Sequence, residues 1–155
     1  IIKAYKDAGE RRLAPYLAEL LYDTVLHAQV AAPNRYGGVL SGVDAVVFVP
    51  ATAAAFRRRG FDHMEAIARS FCDLSGVPLL DALVKYGHGD QRELGRDERR
   101  EHARGMYETV EDVHGRRLLL IDDVITTGAT MAAASAELKR AGAAAVDGLA
   151  IARVW

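Results

Sequence analysis

The fold of this chain is decided by the stretch Leu118-Leu119-Leu120-Ile121-Asp122-Asp123-Val124-Ile125-Thr126-Thr127-Gly128-Ala129-Thr130. Its first four residues, all apolar, predict a strand that is buried on both faces, and the two carboxylates come where that strand is expected to end. Small and hydroxyl-bearing residues then lead into a predicted helix. Because ligands bind beyond the carboxyl ends of the strands in an open α/β sheet, this segment predicts a ligand site.

Groups that suit a sugar and groups that suit a phosphate stand next to each other in this segment. The carboxylates of Asp122 and Asp123 suit a pair of sugar hydroxyls or a hydrated magnesium ion. Backbone amides at the start of the following helix form an anion site, and Gly128 lets the backbone approach a phosphate closely. Three threonines add hydroxyl donors: Thr126, Thr127 and Thr130. A ligand with both features is a ribose 5-phosphate.

An Asp-Asp pair after an apolar strand also occurs as a helix cap or as a Walker B element. A Walker B element needs a partner of the form G-x-x-x-x-G-K-[ST], and the sequence contains none. A receiver-type acidic pocket takes its acids from separated strand ends. The complete Thr-Thr-Gly-Ala-Thr tail therefore favours the sugar-phosphate interpretation.

The composition is that of one ordinary globular domain of 155 residues, half of them apolar, with a net charge of −1. That charge gives no whole-molecule attraction for nucleic acid, so polyanion binding would need a local patch. The single cysteine, Cys72, excludes an internal disulfide and a thiolate metal cage. No apolar run approaches the roughly 20 residues that span a bilayer, and we identify no signal peptide. We therefore expect a cytoplasmic protein, and the start without methionine is compatible with a fragment.

Alternating strands and helices predict an α/β fold with a mainly parallel, doubly wound sheet. The predicted strands are residues 44–49, 79–84, 106–110, 117–122 and 145–154. The predicted helices are residues 10–29, 62–75 and 130–141, with Asp62 as an N-cap and Gly142 after the last helix. Residues 32–42, rich in glycine, are predicted to form a loop.

Residues 118–130 resemble, position for position, the motif by which type I phosphoribosyltransferases bind 5-phosphoribosyl-1-diphosphate (PRPP). Two further patterns are similar to the ComF/GntX-like branch of that family. The first reads Val46-Val47-Phe48-Val49-Pro50, Arg57-Arg58-Arg59 and Gly60-Phe61-Asp62-His63. The second reads Gln91, Leu94, Arg96, Arg99, Arg100 and Arg104-Gly105-Met106-Tyr107. With Tyr5-Lys6, which is similar to the family's opening helix, the resemblance covers nearly the whole chain.

The sequence departs from the family pattern at a few positions. Asp62-His63 replaces the usual Asn-Gln, His102 stands where the family often has Asn, and Tyr107 stands for Phe. The N-terminal zinc module with Cys-x-x-Cys pairs, frequent in the family, is not in this sequence. The departures bear on the acceptor side of the expected pocket and leave the PRPP segment unchanged.

The resemblance implies a single type I phosphoribosyltransferase domain over residues 1–155, with an N-terminal helical and hood segment at about 1–42 and a core at about 43–155. It implies that Asp122 and Asp123 hold the ribose 2′ and 3′ hydroxyls. The 5-phosphate is expected on the loop formed by Thr126, Thr127, Gly128, Ala129 and Thr130. The pyrophosphate is expected at Pro50, Ala51 and Thr52, with Mg²⁺ held mainly by ligand oxygens and water near the two aspartates.

The implied reaction transfers ribose 5-phosphate from PRPP to an unknown nitrogenous acceptor and releases pyrophosphate. Its transition state is expected to be oxocarbenium-like, so the protein would supply positioning and charge stabilisation. Two alternatives stay open. One is a non-catalytic module that senses PRPP or a nucleotide, and the other is an accessory of DNA uptake (competence) that binds single-stranded DNA. The family also allows a homodimer.

Two basic segments have more than one interpretation. Arg92, Arg96, Arg100 and Arg104 recur every four residues beside acidic residues, which is typical of a solvated, salt-bridged helix. They could instead form a hood that closes over pyrophosphate, with Arg99 or Arg100 as the contact. The cluster Arg57–Arg59 suits pyrophosphate, a nucleic-acid backbone or a plain surface patch. We expect Lys85 to lie on a solvated face. We expect His63 to lie at the surface or to have its hydrogen bonds satisfied within the protein.

Overall fold

The computed structural model of the protein describes residues 11–87 and 106–154. A short 3-10 helix, Arg11–Leu13, precedes the first α-helix. The α-helices are α1 Ala14–Ala31, α2 Pro33–Tyr36, α3 Ala53–Arg59, α4 His63–Ser75 and α5 Ala129–Arg140. The strands are β1 Ala45–Phe48, β2 Leu83–Lys85, β3 Tyr107–Thr109, β4 Arg117–Ile125 and β5 Ala145–Arg153.

The main sheet has three parallel strands in the order β1-β4-β5. β4 is the central strand, and its register with β1 pairs Ala45 with Leu118 and Phe48 with Ile121. The parallel α/β sheet predicted from the sequence is thereby confirmed. β2 and β3 form a separate antiparallel pair.

The predicted strand at residues 79–84 is only partly correct. Leu79 contacts the main sheet through a single parallel bridge to Val46, and the strand proper begins at Leu83. Between them the chain turns, with the amide of Ala82 donating to the carbonyl of Leu80 over 3.0 Å. Because of that turn, β2 leaves the parallel sheet and pairs with β3.

Apolar layers cover both faces of the sheet. Leu119 and Ile121 of β4 pack toward α1 and α4, whereas Leu118 and Leu120 pack toward α5 and the β2–β3 pair. All four side chains are buried, and each such burial stabilises the fold by about 1.5–3 kcal/mol. The sheet therefore gives β4 a rigid setting, which matters because the carboxylates belong to this strand.

The helix ends follow the capping signals in the sequence. α4 begins after Asp62, whose Oδ1 accepts a hydrogen bond from the amide of Met64 at 2.9 Å, and Gly76 ends it with φ +73°. Gly142, with φ +102°, follows the end of α5. The predictions for these two helices are confirmed within one residue at the ends.

Two short helices were not among the predictions. α3 begins after Thr52, whose hydroxyl accepts from the amide of Ala55 at 3.2 Å, and the alanines that follow favour helix. α2 lies inside the predicted loop and starts at Pro33, a residue suited to the first helical position.

Over residues 11–87 and 106–154, no helix combines the length and the apolar character needed to cross a bilayer.

Candidate functional site

The central strand continues beyond the end of its neighbour. β1 ends at Phe48, opposite Ile121, and the amide of Val49 makes a last bond to the carbonyl of Ile121 at 3.0 Å. β4 nevertheless runs on to Ile125, because β5 still pairs with it along this stretch. The predicted strand 117–122 is therefore too short: β4 continues to Ile125, and both Asp122 and Asp123 lie within it, at a step in the sheet that β1 leaves open.

This step is the floor of a cavity of about 360 Å³. Three segments meet there, namely the 50–52 loop after β1, the end of β4, and the turn that leads into α5. The lining residues are Val49, Pro50, Ala51, Thr52, Ala55, Arg59, His63, Lys85, Asp122, Asp123, Val124, Thr126 and Thr130. Two larger cavities, of about 800 and 580 Å³, lie elsewhere and contain neither Asp122 nor Asp123. We take the smaller cavity as the candidate site because it alone among these three holds both carboxylates.

The structure brings most of the predicted site residues together, although they come from separate parts of the chain. The predicted residues that line the cavity are Pro50, Ala51, Thr52, Asp122, Asp123, Thr126 and Thr130. Thr127 and Gly128 instead form the turn before α5, and Ala129 is the first residue of that helix; Thr127 Oγ1 accepts from the amide of Ala129 at 3.3 Å. Gly128 has φ +81°, a conformation that glycine adopts without strain. Arg99 and Arg100 lie outside the described residues.

The two carboxylates are almost fully buried, with 7% of Asp122 and 5% of Asp123 exposed. Because side chains alternate along a strand, they leave β4 on opposite faces. Each also accepts a backbone hydrogen bond, from the amide of Asp123 to Asp122 Oδ1 at 2.8 Å and from the amide of Val124 to Asp123 Oδ1 at 2.6 Å. Both still line one cavity, since that cavity lies at the open edge of the strand.

His63 is a site residue that the sequence interpretation did not single out. Its Nε2 lies 2.8 Å from Oδ2 of Asp123, and only 7% of the residue is exposed. On its other side, Nη1 of Arg59 lies 3.5 Å from its Nδ1. The only signal in the sequence is the family-like run Gly60-Phe61-Asp62-His63, in which this residue is a departure.

Two cations line the same cavity as the two carboxylates. Arg59 comes from the basic cluster Arg57–Arg59, and this is the member of the cluster that lines the cavity. Lys85, expected on a solvated face, also lines it, and a bridge between Thr52 and Lys85 fixes its backbone beside the 50–52 loop. The cavity therefore contains both cations that can attract an anion and carboxylates that can bind hydroxyls or a cation.

Tyr107 lies beneath the site. Burial, and then the nearby charge of Asp122, raise the pKa of its phenol to about 12. Its hydroxyl is buried without a hydrogen-bond partner among the described residues, and Nζ of Lys85 lies 5.5 Å from the centre of its ring. The phenol therefore stays neutral over the physiological range.

A sequence model described as the phosphoribosyl transferase domain matches residues 46–153, which include the whole cavity. Among curated proteins, the chain is similar to the DNA utilization protein YhgH of Escherichia coli strain K12, with 29% identity over 154 residues. It is also similar to a ribose-phosphate pyrophosphokinase of Vibrio parahaemolyticus, with 28% identity over 132 residues. The alignments cover 95% and 84% of this chain, but only 63% and 41% of those two proteins.

Solved structures with the same fold include a glutamine PRPP amidotransferase from B. subtilis complexed with ADP and GMP. It covers 89% of this chain with a TM-score of 0.58 and 20% identity, and the match takes up 26% of that protein. A second solved structure, an allosteric regulatory enzyme of purine biosynthesis, matches 91% of this chain with a TM-score of 0.56 and 22% identity. The match takes up 26% of that enzyme's chain. These likenesses confirm the predicted type I phosphoribosyltransferase fold, and the YhgH relatives agree with the predicted ComF-like branch.

Proposed function

The chain belongs to the phosphoribosyl transferase domain family, and from that premise we propose that its cavity binds PRPP with Mg²⁺ and transfers the ribose 5-phosphate to a nitrogenous acceptor. The observation that carries the proposal is the step in the sheet, where the predicted sugar-binding and phosphate-binding segments line the same cavity. An anion-binding turn and two buried carboxylates at one sheet edge fit a sugar phosphate.

In this arrangement Asp122 and Asp123 accept hydrogen bonds from the ribose 2′ and 3′ hydroxyls. Because both carboxylates are held by backbone amides, little freedom is lost when the sugar binds. Thr126 and Thr130, with the amides of the turn between them, receive the 5-phosphate. Two features of Gly128 support this role. Its φ is positive, and a Cβ added there would meet nothing within 4 Å, so the space beside this backbone is open to a phosphate.

The pyrophosphate is assigned to the 50–52 loop, where two described cations are available. Arg59 and Lys85 line the same cavity as Pro50, Ala51 and Thr52, and a bridge joins Lys85 to Thr52. Their charge offsets that of the leaving group, which carries most of the negative charge of PRPP. Arg99 or Arg100 would add to this charge from the hood.

A magnesium ion fits this donor set. Mg²⁺ usually takes one or two carboxylates together with substrate phosphate oxygens and several waters, and the cavity offers Asp122 and Asp123 beside the proposed phosphate positions. When bound, the ion would neutralise charge on the pyrophosphate. The chain's own residues would orient the sugar and hold the leaving group.

The reaction breaks the bond between ribose C1 and the pyrophosphate oxygen and forms a bond from C1 to the acceptor nitrogen. The bonding electrons leave with pyrophosphate, and the acceptor nitrogen loses a proton. The protein lowers the barrier by fixing the sugar between the carboxylates and the 5-phosphate turn, while the cations stabilise the departing charge.

A thermal-shift titration tests the binding proposal. Millimolar PRPP with Mg²⁺ is expected to raise the melting temperature, because a ligand that binds only the folded state stabilises it. The double variant Asp122→Asn/Asp123→Asn is expected to remain folded and to lose the shift. The matched control is Asp147→Asn, an exposed aspartate on β5 that does not line the cavity, and it should retain the full shift.

No shift for the unmodified protein would refute PRPP binding, and a retained shift in the double variant would refute the assignment of the carboxylates. Pyrophosphate release, measured with a panel of bases and amines, separates the transferase from the alternative of a PRPP or nucleotide sensor. A sensor would show the thermal shift without any PRPP-dependent pyrophosphate release.

A second candidate function, handling of single-stranded DNA, is favoured by one specific surface. Arg57 and Arg58 are exposed on α3 next to Phe56, whose side chain is 48% exposed. Cations beside an exposed aromatic ring suit the backbone and bases of a single strand. Because the relatives named for DNA utilization extend well beyond the matched region, this role is proposed only for the α3 surface.

A further inference from the structure

We propose that His63 is a positioning residue that holds Asp123 in the orientation needed to receive the ribose hydroxyls. This inference rests on the proposed binding of PRPP and assigns a role to a residue outside the predicted site. The imidazole and the carboxylate come from different elements, α4 and β4, and meet at 2.8 Å in a nearly dry environment. A hydrogen bond of this kind fixes a side chain more firmly than packing alone.

The surroundings of His63 show where its Nε2 proton points. An ionised carboxylate only accepts hydrogen bonds, so Nε2 of His63 must donate to Asp123 Oδ2. On the other side of the ring, Nη1 of Arg59, which can only donate, lies 3.5 Å from Nδ1. The geometry therefore directs the Nε2 proton of His63 at Asp123.

The carboxylate of Asp123 is consequently held at both oxygens. Oδ1 accepts from the amide of Val124 at 2.6 Å, and Oδ2 accepts from His63 at 2.8 Å. The two donors lie on different elements, so the carboxylate plane cannot turn without breaking one of these bonds. An oxygen of a carboxylate can accept more than one hydrogen bond, so this fixation leaves capacity for a sugar hydroxyl.

The position of His63 also links the two halves of the site. It is the first residue of α4, and the residue before it, Asp62, accepts a hydrogen bond from the amide of Ala51 in the 50–52 loop at 2.7 Å. The start of one helix thus reaches the ribose side through His63 and the pyrophosphate side through Asp62. His63 also contacts Arg59, one of the cations proposed for the pyrophosphate, but only at 3.5 Å. A defect at His63 should therefore weaken sugar binding more than pyrophosphate binding.

Calorimetric titration of the full chain with three probes tests this role: Mg²⁺–PRPP, ribose 5-phosphate and Mg²⁺–pyrophosphate. His63→Leu is expected to weaken PRPP and ribose 5-phosphate binding by roughly tenfold or more, the scale known for hydrogen-bonded partners of ligating groups. Pyrophosphate binding is expected to weaken much less, because His63 reaches the pyrophosphate side only through its 3.5 Å contact with Arg59. His63→Gln, whose amide can donate to Asp123, is expected to recover most of the loss. The matched control His27→Leu alters an exposed histidine on α1 and should behave as the unmodified protein.

Equal weakening of all three probes in His63→Leu would overturn the inference in favour of a general structural role, as would unchanged binding of all three. Should the unmodified protein bind none of the probes, the proposed function fails and the role of His63 fails with it. If His63→Leu does not fold, ¹⁵N NMR of the unmodified imidazole decides. Protonation on Nε2 that changes in Asp123→Asn supports the inference, and protonation on Nδ1 alone overturns it.

Discussion

The carboxylate of Asp62 holds the 50–52 loop against the start of α4. Its Oδ2 accepts from the amide of Ala51 at 2.7 Å, while its Oδ1 accepts from the amide of Met64 at 2.9 Å. One side chain thus caps a helix and fixes the loop to which we assign pyrophosphate. The N-cap of α4 and the position of the 50–52 loop are therefore coupled at this residue.

We predict that Asp62→Ala lowers the free energy of unfolding by about 1–2 kcal/mol, the usual cost of losing an N-cap. The same change should weaken Mg²⁺–pyrophosphate binding, because the amide of Ala51 loses the partner that orients the loop. Urea denaturation measures the first effect and calorimetry measures the second.

Asp73→Ala is the matched control, since Asp73 is an exposed aspartate further along the same helix. Its free energy of unfolding should change by less than about 0.5 kcal/mol. Normal pyrophosphate affinity in Asp62→Ala, together with the expected loss of stability, would show that Asp62 acts as a helix cap alone.

The buried carboxylate of Glu137 ties α5 to β3. It accepts hydrogen bonds from the amide and hydroxyl of Thr109 at 3.0 and 3.1 Å, and from the guanidinium of Arg140 at 2.8 Å. Burial alone would raise the pKa of Glu137, but these hydrogen bonds outweigh it and hold the pKa below the usual range. α5 carries the proposed phosphate turn at its start, so this interaction supports the site from the other end of the helix.

The lowered pKa predicts how stability depends on pH. A carboxylate whose folded pKa is below its unfolded pKa stabilises the protein above the unfolded value of about 4.3, and that contribution is lost as the pH falls through the folded pKa. Glu137→Gln is expected to cost about 1–2 kcal/mol of unfolding free energy at pH 7. The difference between variant and unmodified protein should shrink once the pH is below about 4.3.

Denaturant melts at pH 7 and at a series of acidic pH values would measure this difference. Glu19→Gln, at an exposed position of α1, is the control and should show neither effect. A difference that stays constant across the acidic range would mean that the ionised form of Glu137 is not what stabilises the link between α5 and β3.

The α3 surface makes a salt-dependent prediction. If Arg57 and Arg58 bind the backbone of single-stranded DNA, Arg57→Ala/Arg58→Ala should weaken oligonucleotide binding. The slope of log K against log salt should also become shallower by up to about 1.4, because each phosphate that an arginine neutralises on a single strand adds about 0.7 to the slope. Fluorescence anisotropy with a labelled oligonucleotide at several salt concentrations measures both quantities.

Arg116→Ala/Lys139→Ala removes two exposed cations from another part of the surface and serves as the charge-matched control. An equal loss of affinity in both double variants would indicate non-specific attraction. Absence of any binding by the unmodified protein at low salt would remove the DNA-handling alternative for this surface.

Local signals in the sequence predicted much of the fold. An uninterrupted apolar run identified β4, and the Asp62 cap with Gly76 set the ends of α4 within one residue. These signals work because capping and burial depend on neighbouring residues. The same logic failed at residues 79–84, where a local turn sends the second half of an apolar run into a different sheet.

By itself, the sequence determined the strand–carboxylate–turn–helix segment and the family to which it belongs, because that chemistry is contiguous along the chain. The tertiary structure alone decided that β4 extends past β1, that Lys85 faces the same cavity as the aspartates, and that an imidazole some sixty residues earlier holds Asp123. The length of a strand depends on which neighbouring strands can still form hydrogen bonds with it. Contacts between residues that are distant in sequence depend on how the layers of the fold pack. Neither quantity is a property of any one stretch of sequence.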